Sequence, residues 1–136
     1  MSWDARRCLG ALCVTVSWAS AAGVSPTFHK QIAPILYAHC TSCHRPGESA
    51  PFSLLTYADA KKRATQIAAV TRSHFMPPWL PEPGHGEFDG ERRLSENQIA
   101  LIGEWAAAGA PEGDPKDAPS PPVFTPGWQL GTPDLV

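Results

Sequence analysis

Apolar residues in the middle of this chain recur at the spacing of helix faces. In residues 29–40, Ile32, Ile35 and Leu36 stand at i, i+3 and i+4, one stripe of an amphipathic helix. Pro34 is compatible with that helix only in its first turn, where a missing N–H costs nothing. A second helix is predicted over residues 57–73, with Ala60, Ala64, Ile67, Ala68 and Thr71 on its inner face. Thr56 and Asp59 resemble a capping box at its start, the acid standing for the usual Glu or Gln. A third is predicted over residues 96–108, opened by Ser95 and Gln98 as another box and closed by Gly109 and Pro111. Ile99, Ile102 and Trp105 share one face of it. No strand-like alternation and no repeat accompanies these segments, so the fold class is all-α.

Between the second and third helices lies FMPPWLPEPGHGEFDGERR, a loop rich in proline and glycine. After residue 110 the composition shifts again, with seven prolines in the last 26 residues, which reads as an extended linker. Three small helices with few large apolar groups make a thin core, and this predicts an apolar component that is not polypeptide.

The N-terminus changes the count of chemistry-bearing residues. MSWDARR followed by CLGALCVTVSWASAA is a basic segment, an apolar run and a small-residue site, the pattern of a secretory signal cut after Ala21. The apolar run is about 15 residues against the roughly 20 of a membrane span, so no stable insertion is expected once it is removed. Three regions follow: a signal over residues 1–21, a domain over 22–113 and a proline-rich tail over 114–136. The location expected is periplasmic or secreted. Cleavage removes Cys8 and Cys13 and leaves Cys40 and Cys43. It also leaves 9 basic and 12 acidic residues, a balance that points to neither nucleic acid nor anionic lipid.

Those two cysteines sit in AHCTSCHRPG, with His44 directly after Cys43. A disulfide across two intervening residues closes too small a loop to stabilise much, so the pair is there for chemistry. Zinc needs four convergent ligands, commonly two such pairs, and there is no second pair. A dithiol redox site expects a βαβ setting, which is absent. Covalent haem fits better: each cysteine adds across one vinyl group, and the following histidine reaches the iron. The macrocycle would also supply the missing core.

The opposite ligand is expected to be Met76, the one methionine left after Met1 departs with the signal. Pro77 forces it out of the helical region and onto a stiff extended segment. Core packing is the ordinary alternative for a methionine, and His74 and His85 are rival ligands with solvent-exposed settings. His29 and His39 are expected on the polar side of the first helix. Lys61, Lys62, Arg63 and Arg72 read first as a solvated helix face and second as a docking face for an acidic partner. Trp79 or Arg45 could bond a haem carboxylate, and the segment around Pro51 is positioned to offer His44 a carbonyl.

With these residues in view, residues 27–113 resemble a class I c-type cytochrome. The likeness is carried by FHKQIAPILYAHCTSCHRPG, MPPW and LSENQIALIGEWAAAGAP. More narrowly, the chain resembles the cytochrome c-like domain at the front of some large bacterial secreted proteins. Some relatives of that kind continue into a domain like copper-dependent, ascorbate-type monooxygenases. The resemblance implies a small cytochrome c-like fold, three main helices around one haem c, the first and last crossing through Ile35, Leu36, Ile102 and Trp105. It implies thioethers at Cys40 and Cys43, with His44 and Met76 as the two iron ligands. His44 and Met76 are 32 residues apart, closer than in many class I members, so short helices of that class are missing. The implied role is electron transfer without substrate chemistry, to or from a redox protein, a copper or haem oxidoreductase among the candidates. An open iron site that binds gases or peroxide is the alternative if Met76 does not ligate.

Overall fold

A computed structural model describes residues 25–125 and 134–135. The expected signal and residues 126–133 of the tail, Trp128 among them, lie outside the described residues. The described residues are helical and contain no strand: α1 Ala33–His39, α2 Tyr57–Lys62, α3 Ala64–Arg72 and α4 Glu96–Ala107. None is long and apolar enough to cross a membrane.

α1 is entered through a π-helical turn, Phe28–Ile32. The N–H groups of Ile32 and Ala33 reach five residues back, to the carbonyls of Thr27 and Phe28. Pro34 then falls in the first α-helical turn, as the sequence requires. The wider turn takes up the register change that its missing N–H and bulky ring would otherwise impose on the preceding carbonyls.

The predicted second helix is broken in two. Arg63 leaves helical geometry, with φ −120° and ψ 12°. Its guanidinium lies 3.8 Å from the centre of the Phe52 ring. The inner face nevertheless continues across the break, since Ala60, Ala64, Ile67, Ala68 and Thr71 are all buried. Of the Thr56–Asp59 box only one half forms, the Thr56 hydroxyl accepting from the Asp59 N–H at 3.1 Å. The Ser95–Gln98 box on α4 is complete.

α4 ends in a Schellman motif. The N–H of Ala110 reaches the Trp105 carbonyl (2.9 Å) and that of Gly109 the Ala106 carbonyl (3.2 Å). Gly109 takes the left-handed conformation, φ +83°, that such an end needs. Ile102 and Trp105 are completely buried against Phe28, Ile32 and Leu36, so the first and last helical segments meet in one core. Trp105 also donates its indole N–H to the Pro111 carbonyl at 3.0 Å.

The start of the tail is packed, not the free linker its composition suggests. The carbonyls of Pro111 and Glu112 accept from Phe28 and His29 at 2.9 and 3.0 Å, satisfying donors that a helix start leaves without partners. Gly113 passes so close to Thr27 that an added Cβ would lie 2.5 Å from its hydroxyl oxygen. Further on, Phe124 stacks under Arg45 at 3.9 Å.

Candidate cofactor site

α1 ends where the cysteine motif begins. The N–H groups of Cys40 and Thr41 both return to the Leu36 carbonyl, at 2.9 and 3.1 Å, and the Thr41 hydroxyl donates to the Tyr37 carbonyl. The chain then curls so that Cys43 and His44 bond back to the Cys40 carbonyl, at 3.2 and 2.9 Å. Residues 50–54 fold over this curl: Ala50 bonds to Cys43 and Leu54 to His44, backbone to backbone.

His44 is fixed on three counts. Its backbone is held as described, its ring packs on Phe52 at 4.5 Å between centroids, and its Nδ1 lies 3.1 Å from the Phe52 carbonyl oxygen. A carbonyl only accepts, so Nδ1 carries the proton, and in the neutral imidazole the lone pair is on Nε2. The acceptor is one residue past Pro51, within the segment expected to supply it.

Cys40, Cys43, His44 and Met76 all line one cavity of about 340 Å³. Leu54, Ile67, Val70, Phe52 and the Phe75–Pro78 stretch make the wall mostly apolar. Small-molecule and cofactor pockets run from about 300 to 1,000 Å³, so the volume is of the right class. Met76 lines the cavity from a bend just past the end of α3, with its N–H on the Val70 carbonyl at 3.1 Å.

The two cysteines are free thiols. Burial, reinforced by the neighbouring Cys43, pushes the Cys40 thiol up to about 12. A dithiol exchange site lowers the pKa of its attacking cysteine, so this environment is the wrong one for that chemistry. Nor do three His, Cys, Asp or Glu side chains converge as metal ligands among the described residues, which the zinc reading requires.

The rival histidines separate cleanly. His74 is exposed, with φ +56°, and faces an adjoining cleft; His85 is exposed in the loop and lines neither hollow. His29 pairs with Glu112 at 3.5 Å. His39 departs from its expected polar position, for it lines the cavity and its Nε2 receives the Gln98 side-chain amide at 3.3 Å. His39 is the last residue of α1, where the chain turns into the motif.

The carboxylate-binding candidates also rearrange. Arg45 is buried and committed elsewhere, to the carbonyls of Thr41 and Ser42 and to Glu48. Trp79 has a buried indole N–H without a partner among the described residues, but it lines the adjoining cleft. The cation on the cavity wall is Arg92, with Nη1 3.9 Å from the Cys43 sulfur. Nothing in the spacing of the sequence links Arg92 to Cys43 across 49 residues. No family model, no curated protein and no solved structure matches this chain.

Proposed function

We propose that this protein is a small electron carrier of the cytochrome c type, exported before use. Its cavity takes one haem c, joined by thioethers to Cys40 and Cys43. The observation that carries the reading is one apolar cavity lined by both cysteines, His44 and Met76, with His44 Nε2 left as a lone-pair donor. An apolar hollow of about 340 Å³ falls within the size range of small-molecule and cofactor pockets. Its walls are those of a cofactor pocket. Such a haem supplies one-electron chemistry, with iron changing between ferric and ferrous states.

The protein's own contributions are distinct. The Phe52 carbonyl orients His44 and fixes which ring nitrogen faces it. Met76 offers a soft sulfur ligand from a segment that proline keeps out of the helix. Val70, Ile67 and Leu54 would pack against a haem held here, and Arg92 would donate to one of its carboxylates. The role we propose is transfer of electrons to or from a partner oxidoreductase.

Absorption spectra of the full chain and of Met76→Ala, made in a host that attaches haem covalently, test this. Expected are a haem that resists acid–organic extraction and a weak far-red ferric band that the variant lacks. Absence of the band in the wild type, with ready carbon monoxide binding once reduced, would replace the carrier by an open-site haem protein. No bound haem at all would refute the proposal.

A further inference from the structure

Large apolar side chains are normally hidden, yet one loop displays several. Phe75 is 68% exposed, Leu80 95% and Phe88 46%. They belong to one surface, linked through shared walls. Phe75, Met76 and Pro77 line the cavity, and Met76, Pro77, Trp79 and Leu80 line the cleft beside it. Phe88 then meets Trp79 edge-on at 5.9 Å. The patch therefore surrounds the mouth through which electrons would pass.

The charges on this loop are mostly negative. Glu82 shares the cleft wall with Leu80, and Glu87 and Asp89 flank Phe88. All three are exposed and form no salt bridge among the described residues, whereas Glu91 is paired with Arg93 at 3.2 Å. Against these four carboxylates stand two guanidinium groups, those of Arg92 and Arg93. The opposite sign gathers on α2, where Lys61 and Lys62 are exposed, but no large exposed apolar side chain accompanies them. Interfaces combine an apolar centre with a charged rim that steers approach, and among the described residues the Met76 loop has both.

We infer that the Met76 loop, residues 75–91, is the docking face for a redox protein whose own contact surface is apolar and rimmed with lysine and arginine. This rests on the electron-carrier reading. It sets aside the second reading of Lys61, Lys62, Arg63 and Arg72, a docking face for an acidic partner, and leaves them their first, a solvated helix face.

The test is stopped-flow oxidation of the reduced, haem-loaded full chain by two small reagents of opposite charge. One is cationic tris(phenanthroline)cobalt(III) and the other anionic hexacyanoferrate(III), each followed from low to high ionic strength. For the wild type the cobalt rate should fall as salt rises. Glu82→Lys/Glu87→Lys/Asp89→Lys should lower that rate by about threefold to tenfold at 0.01 M salt and raise the hexacyanoferrate rate, with the difference gone near 1 M. A ten-residue lysine peptide should slow the cobalt reaction of the wild type and not of the triple variant.

Equal effects from Lys61→Glu/Lys62→Glu, or no effect from the triple variant, would overturn the inference. So would a dimer in sedimentation that the triple variant dissolves, since the occupant would then be a second copy. Protection of Phe75 and Leu80 from hydroxyl-radical footprinting in the monomer would assign the patch to the chain's own tail. A purified chain without the haem spectrum sinks the carrier reading, and the docking face with it, before any kinetics. With the spectrum intact, the rates bear on docking alone.

Discussion

On the His44 side of the cavity, residues 40–54 are tied to α1 and to themselves. Backbone bonds run from Cys43 and His44 to Cys40, from Ala50 to Cys43 and from Leu54 to His44, and Tyr37 donates its phenol to the Leu55 carbonyl at 3.0 Å. Arg63 adds a guanidinium over Phe52. On the Met76 side, the bond joining the loop to the helical frame among the described residues is Met76 N–H to the Val70 carbonyl. Beyond it the loop is exposed almost throughout from Glu82 to Arg92. Local stability follows the density of buried contacts and satisfied backbone groups, so one wall holds to the limit of global unfolding and the other opens below it. In the proposed carrier, His44 is then the permanent ligand and Met76 the exchangeable one.

The largest blow to this contrast falls on the firm wall. Phe52→Ala removes the ring that His44 packs on and that Arg63 covers, while the carbonyl acceptor of His44 stays in place. Phe52 is half-buried. The expected cost is therefore about 2 kcal/mol in denaturant unfolding, less than the roughly 3–5 kcal/mol of a fully buried phenylalanine. A loss below about 0.5 kcal/mol would mean that the backbone alone holds this wall.

How much of this was legible in the sequence follows the same division. The ends of α4 were readable because Ser95, Gln98 and Gly109 act on their own neighbours. The buried face from Ala60 to Thr71 came from spacing alone. The break at Arg63 did not, because arginine is a good helix former and its reason for leaving the helix is Phe52, which no periodicity reports. Arg92 on the cavity wall and Arg45 turned away from it were likewise illegible. Arg92 depends on where a proline- and glycine-rich loop travels, and turn chemistry names the bends without naming the neighbours; Arg45 is held by the nearby Thr41 and Ser42 carbonyls and by Glu48. The haem itself is outside what spacing or this fold decides, and rests on the proposal.

A smaller effect is expected at Tyr37, which fastens residues 50–55 to α1. Tyr37→Phe deletes one half-buried hydrogen bond and should cost about 1 kcal/mol. It should also change the response to alkali. Burial raises the Tyr37 phenol above its ordinary 10.0, so the folded state holds this proton more tightly than the unfolded state does. The stability it contributes is intact below pH 10 and declines as pH rises through the higher folded value. Denaturation midpoints between pH 8 and 11 should fall more steeply for the wild type than for Tyr37→Phe; parallel curves would remove Tyr37 from the firm wall.

The smallest change in global stability is expected on the loose wall, and it sharpens the comparison most. Phe75→Ala strips an exposed ring from the cavity mouth, so global unfolding should shift by no more than about 0.5 kcal/mol. The ring nonetheless lies one residue from Met76, whose loop has little else to hold it. In the haem-loaded protein the far-red band should therefore vanish at a lower temperature in the variant, while the loss of helical circular dichroism stays where it was. Separate transitions by the two probes are what a locally opening ligand loop produces, since a single cooperative unit would move both together. If band and helix melt in step in both proteins, Met76 is held as firmly as His44, and the difference in their bonding has no consequence for the ligand.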